Sequence, residues 1–322
     1  MPLYPASVAI KRSERFGGPL SNPLPMCEAT YVSGTDVLRR RSTCGILAAF
    51  GAAVLSVGIG TAPGIASVQA ASKVALSDQF DAKNFGDRAS GANKWYPLKS
   101  GYQSVREGGL NRGNRRLSHR RVYTVTDVTK QVSGVRAVLV LDQDIDGGEV
   151  AEQAVDYLAE DIYGNVWYLG SYTESYEGGQ FVNANDAWLA GVRGGRPGVL
   201  MLGRPEVGTP KYSQAYVPGE GSATAKVSKT GQSKCVPFKC YTDVLVIQEG
   251  GENVFYAPGV GAIRTEPRRS GGEGETESLI NLTQLSPEGL AEFSAEALKL
   301  DQHARVTAKR VFGATPVARR TA

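Results

Sequence analysis

The chain has 322 residues, of which 41% are hydrophobic and 21% charged, and its formal net charge is +4. Residues 1–70 carry six Arg/Lys and three Asp/Glu, so about +1 is left for residues 71–322, and the electrostatic case for a nucleic-acid partner disappears. Two histidines are too few for a His-rich zinc site, and no phosphate-cradling or dinucleotide-binding glycine motif follows a strand.

Residues 1–38 are rich in Pro, Gly and Ser and show neither helical nor strand periodicity. They are expected to be a disordered extension or the product of a start assigned too early, with translation beginning nearer Met26 or Val37. Residues 39–70 have the order of a signal peptide: Arg39-Arg40-Arg41, an apolar run from Gly45 to Ile59, the breakers Pro63-Gly64, and the small-residue exit Val68-Gln69-Ala70. The apolar run falls short of the ~20 residues that span a bilayer. Cleavage after Ala70 and export by the general secretory route are therefore expected, giving a secreted or cell-envelope protein that is not an integral membrane protein once cleaved. Cys44 lies at the wrong end of the run for a lipid anchor.

Residues 71–93 read as an irregular lead-in and residues 94–267 as a β domain. Residues 122–128 are β-branched and semi-alternating. Residues 135–141 are nearly all aliphatic and short enough for a buried strand, and Gly134 between the two runs suits a hairpin turn. Residues 150–159 have helix-favouring Ala, Glu and Gln, yet the turn Tyr163-Gly164-Asn165 into Val166-Trp167-Tyr168-Leu169 makes a strand the preferred reading. Further strands are expected over 187–192, 199–202, 212–217, 223–228, 241–248 and 254–265. Short strands with frequent Gly and Pro turns predict a mainly β protein, a curved antiparallel sheet forming a half-barrel or sandwich, with a C-terminal helix.

Residues 268–278 read as a linker, with no apolar residue from Arg268 to Glu277. A helical segment follows over 279–306, with Ser286 as N-cap, Pro287 at the first helical position, and a stripe of Leu290, Phe293, Ala297 and Leu300 expected to dock on the sheet. Residues 307–322 read as a disordered tail. Of four cysteines, Cys27 and Cys44 belong to the leader region. Cys235 and Cys240 are expected to form a disulfide in an oxidising compartment, contributing only ~2 kcal/mol because the loop is short.

Three constellations are candidates for function. Asp142-Gln143-Asp144-Ile145-Asp146-Gly147 matches the start of a calcium loop, with Glu149 as a further oxygen donor, although the twelfth position is Gln153. Aromatic residues Trp167, Tyr168, Tyr172, Trp188 and Tyr256 could line a ligand cleft or serve as ordinary core. Residues 106–121 hold six arginines, whereas residues 142–161 hold eight carboxylates and no Lys or Arg, so the two segments are expected to pair if they are neighbours. His119 and His303 stand in no arrangement that suggests a catalytic triad, and no catalytic residue is nominated.

The segments Asp161-Ile162-Tyr163-Gly164-Asn165-Val166-Trp167-Tyr168-Leu169-Gly170 and Phe255-Tyr256-Ala257-Pro258-Gly259-Val260-Gly261 resemble motifs in a group of uncharacterised secreted bacterial proteins. The resemblance covers roughly residues 94–266 and implies no catalytic residue. The second segment is similar, more distantly, to strands of envelope carriers of the LolA and LppX kind, which implies a curved sheet holding acyl chains. The expected function is thus a non-catalytic envelope protein binding an apolar or amphipathic ligand, with a lipid or cell-wall component as partner. The alternatives are a calcium-stabilised structural or adhesive module and a carboxylate-dependent glycan hydrolase.

Overall fold

A computed structural model describes residues 80–86, 93–112, 115–268 and 274–321; the expected extension and signal peptide lie outside them. The protein is mainly β, with a C-terminal helix. In chain order the strands are β1 (Tyr102–Arg112), β2 (Arg115–Val132), β3 (Val135–Asp146), β4 (Glu149–Glu160), β5 (Val166–Glu177), β6 (Gln180–Asn183), β7 (Ala187–Leu189), β8 (Arg196–Met201), β9 (Tyr212–Val217), β10 (Gly221–Cys235), β11 (Cys240–Glu249), β12 (Glu252–Ala257), β13 (Gly261–Pro267) and β14 (Gly274–Gln284). Helices α1 (Pro287–Thr307) and α2 (Lys309–Phe312) and the short β15 (Arg319–Arg320) complete the chain.

The antiparallel sheet runs β1-β14-β13-β12-β11-β10-β9-β8-β5-β4-β3-β2, and β1 pairs with β2 again, so the curved sheet closes into a 12-stranded barrel. Hairpin chemistry explains the local order. The β2–β3 turn places Ser133 and Gly134 at φ 49° and 80°, and the β3–β4 turn places Gly147 and Gly148 at φ 61° and 93°. Two consecutive left-handed residues are the geometry whose twist matches that of the flanking strands.

Alternation along each strand separates two buried environments. On β3 and β4, Leu139 and Leu141 pair with Tyr157 and Val155 and face outward beneath α1. Val140, Asp142, Asp144, Ala154 and Asp156 face the barrel lumen. Helix α1 starts as its sequence predicts: Ser286 Oγ accepts from Gly289 N, and Pro287 is the first helical residue. Its buried residues are Ser294, Ala297, Leu300, Asp301 and Ala304, while Leu290 and Phe293 are only half-buried. Ala297 and Leu300 of the expected stripe therefore dock, and the buried face adds Ser294, Asp301 and Ala304, so that it includes a charge. Lys130 and Asp301 form an ion pair of 2.8 Å between the outer wall and the helix, with side chains 0% and 1% exposed.

Several segments differ from what their sequence predicts. Residues 274–284 form β14, so part of the expected linker and the start of the expected helical segment are the strand that seals the barrel against β1. Its sequence, Gly-Glu-Thr-Glu-Ser-Leu-Ile-Asn-Leu-Thr-Gln, hides a strand because two of its lumen positions are glutamates. Residues 254–265 are two strands, since Pro258-Gly259-Val260 is the turn between β12 and β13. The expected tail is ordered through residue 321: Phe312 is buried against Tyr157 and Tyr172, and Arg319 and Arg320 pair with Thr129 and Val128 of β2. The uncertain segment 150–159 is strand β4, and the Cys235–Cys240 disulfide is present at the β10–β11 turn.

Candidate functional site, an acidic lumen

One end of the barrel is filled by the chain itself. Asn93 Oδ1 accepts from Trp95 N and Tyr96 N, and Gly259 N donates to Lys94 O. Asn93 Nδ2 also donates to Gly164 O at 2.7 Å, so the segment runs from the β4–β5 turn to the β12–β13 turn. Trp95 and Leu98 are buried, and Tyr96 enters the lumen, where its hydroxyl accepts from Tyr123 at 2.9 Å and its ring lies 6.5 Å from that of Tyr256. Helix α1 does not plug the lumen; it covers the outer wall.

The other end, where the Gly147-Gly148 and Gly250-Gly251 turns lie, is polar inside. Lumen positions two apart on β2 supply His119 and Arg121. Their partners on β3 are Asp146 and Asp144, with Asp142 opposite Tyr123. Arg121 Nε lies 2.9 Å from Asp142 Oδ1 and 3.6 Å from Asp144 Oδ1, and Arg106 Nε lies 2.6 Å from Glu277 Oε2. The arginine-rich and acidic segments therefore do pair across the sheet, but inside the barrel and not over its surface. Asp156 accepts from Tyr168 OH at 2.7 Å and Ser171 Oγ at 2.8 Å. A cavity of ≈ 130 Å³ is lined by Arg121, Asp142, Asp144, Glu152, Ala154, Asp156, Tyr168, Ser171 and Thr173.

Carboxylates exceed cations in this lumen, and burial makes the excess felt. Burial first, then neighbouring carboxylates, raises Glu152 and Glu252 to about 7 and Asp156 to about 6. Asp144 and Glu275 are raised for the same reason. Burial would also raise Glu277, but Arg106, His119 and Arg121 outweigh it and hold that carboxyl well below the usual range. Burial disfavours the charge on His119, yet hydrogen bonds to Asp146 and Glu277 raise it to about 11.

The residues nominated from sequence are distributed as follows. Asp142, Asp144 and Asp146 lie on strand β3 and not in a loop; they share the lumen face because they alternate. Asp142 is engaged by Arg121, and Glu149 is exposed at the start of β4. The five aromatics do not form one cleft. Tyr168 and Tyr256 face the lumen, and Tyr172 lies under α1, where it bonds Glu174 and Thr307. Trp188 stacks edge-on with Tyr168, and Trp167 is packed by Phe80 and Phe85. His119 and Glu277, both buried in the polar end of the lumen, were not nominated. Their sequence signals were the arginine-rich run and the alternating Glu273, Glu275 and Glu277.

Among the described residues no helix is long and apolar enough to cross a membrane. No protein-family model, curated protein or solved structure matches this chain.

Proposed function

We propose that this protein is an exported, non-catalytic binding barrel that takes a small cationic group, such as a primary amine, into its acidic lumen. The observation that carries this reading is the lumen cavity. Asp142, Asp144, Glu152 and Asp156 line it, Arg121 is the one cation among its lining residues, and Tyr168, Ser171 and Thr173 add hydroxyls. An entering ammonium would relieve the repulsion among buried carboxylates and donate to several of them at once. The cavity's size and polarity suit a small polar head and not an acyl chain, so a cell-wall component bearing a free amine fits better than a lipid. The Cys235–Cys240 disulfide supports an oxidising compartment.

The test is calorimetric titration at neutral pH with ethanolamine, glucosamine and spermidine. Saturable binding of at least one amine is expected, together with a loss of at least about tenfold in Glu152→Gln and in Asp156→Asn, roughly one lost charge-assisted hydrogen bond each. Absence of saturable binding by the native protein, or equal binding by both folded variants, would refute the reading.

A further inference from the structure

Next to the cavity, and sharing Asp144 with it, four carboxylates converge on one imidazole. His119 Nδ1 lies 2.7 Å from Asp146 Oδ1. Its Nε2 faces Glu277 Oε1 at 3.2 Å, Glu275 Oε2 at 3.6 Å and Asp144 Oδ1 at 4.0 Å. The ligand atoms of His119, Glu275 and Glu277 all lie within 4.8 Å of one another. One N–H can serve one of these acceptors well, yet three are aimed at it. Asp144 Oδ1 is wholly buried and has no hydrogen-bond partner; Arg121 Nε at 3.6 Å and His119 Nε2 both stand outside hydrogen-bond geometry.

The backbone is arranged for this meeting. His119 on β2 and Glu277 on β14 are separated by β1, and the β1 residue opposite both is Gly108. Any side chain there would stand between them, and a Cβ at Gly108 would also overlap the Thr276 carbonyl. A glycine at this register lets the two strands' side chains touch across the intervening one.

We propose that His119 Nε2, Glu275, Glu277 and Asp144 form a site for a divalent transition-metal ion of the zinc or manganese class. Asp146 acts as the outer carboxylate that holds the Nδ1–H tautomer and leaves the Nε2 lone pair for the ion. In a tetrahedral site with bonds of about 2.0–2.1 Å, ligand atoms stand about 3.3–3.4 Å apart. Measured from Nε2, the 3.2 Å to Glu277 and 3.6 Å to Glu275 bracket that value, and Asp144 at 4.0 Å must draw in. The ion would take the place of the Nε2 proton and give every converging oxygen a partner. One nitrogen with three carboxylates matches zinc or manganese; calcium, which takes six to eight oxygens, does not fit. This site differs from the expected calcium loop, because Asp142 is held by Arg121 and Glu149 is exposed.

The test uses the full folded protein, dialysed against chelator and titrated with Zn²⁺, Mn²⁺ and Ca²⁺, with Co²⁺ absorption as a report on coordination. One equivalent of Zn²⁺ or Mn²⁺ is expected, with a rise in Tm, tetrahedral cobalt bands and weaker calcium binding. His119→Gln and Glu275→Gln should each lose at least about 100-fold in affinity, and Asp146→Asn about 10- to 100-fold. Glu149→Gln should bind metal as the native protein does. Asp156→Asn, outside this ligand set, should keep its metal even if it loses amine binding, so failure of the cavity reading is distinguishable from failure of this one. Absence of a stoichiometric metal, preference for calcium, or native affinity in a folded His119→Gln or Glu275→Gln variant would overturn the site.

Discussion

Asp161 shows how a single side chain can specify a turn. Its Oδ1 accepts from Tyr163 N at 2.9 Å and Asn165 N at 2.8 Å, and its Oδ2 accepts from Asn165 Nδ2 at 2.9 Å and Trp167 Nε1 at 2.8 Å. Asn165 Oδ1 in turn accepts from Gly203 N, and Gly164 takes φ 79° between them. The Asp-x-x-Gly-Asn-Val-Trp pattern, conspicuous in the sequence, is thus the hydrogen-bonding programme of the β4–β5 turn. Asp161→Ala would leave several buried donors without an acceptor and is expected to cost about 3 kcal/mol or more. The measurement is chemical denaturation; a loss under about 1 kcal/mol would show that water replaces the carboxylate.

At the scale of elements, α1 is fastened to the barrel by polar chemistry set in an apolar seam. Asp301 binds Lys130 Nζ at 2.8 Å and Tyr157 OH at 2.7 Å through Oδ1, and Ala318 N at 3.3 Å through Oδ2. The ammonium also stands 5.5 Å from the Phe312 ring. Burial pushes the Lys130 ammonium down, and Asp301 opposes that shift. Removing one partner strands a charge in the seam, so Lys130→Met is expected to lose about 3–5 kcal/mol. In Lys130→Met/Asp301→Asn no charge is left in the seam and the amide oxygen still accepts from Tyr157, so part of that loss should return, less the cost of an amide NH2 facing Ala318 N. A double variant no better than the single would mean that the pair is not coupled, and comparison of the two denaturation curves decides it.

For the whole molecule, the acidic lumen makes stability depend on pH. Glu152 and Glu252, at about 7, and Asp156, at about 6, retain protons in the folded state that the unfolded chain has released. Folding is then linked to proton uptake, and stability falls as pH rises through this range. His119 acts with the same sign: raised from 6.5 to about 11, it contributes fully below its unfolded value and loses that contribution as pH climbs. Glu277, held low, opposes them only in acid, where its contribution is lost as pH falls. The metal-free protein is therefore expected to melt at a higher temperature near pH ~5.5 than near pH ~8.5. A Tm that rises between those two values would contradict the charge assignment of the lumen.

Much of the architecture was legible in local sequence, because its causes are local. The hairpin turn at Gly134, β-branched alternation on β2 and the aliphatic run on β3 need no distant partner. The same holds for the Ser286-Pro287 helix start and for the short Cys235–Cys240 loop. Closure and the site were decided only by tertiary structure. Nothing near Gly274 announces that β14 pairs with β1, which lies at the far end of the barrel sequence, and its glutamates look like solvent residues until a lumen surrounds them. His119 and Asp144 on β2 and β3 lie far in the chain from Glu275 and Glu277 on β14, and only the register that sets Gly108 between β2 and β14 brings them together. Sequence specifies each strand through short-range sterics and hydrogen bonding, whereas a barrel interior is a meeting of distant residues whose geometry exists only once the sheet has closed.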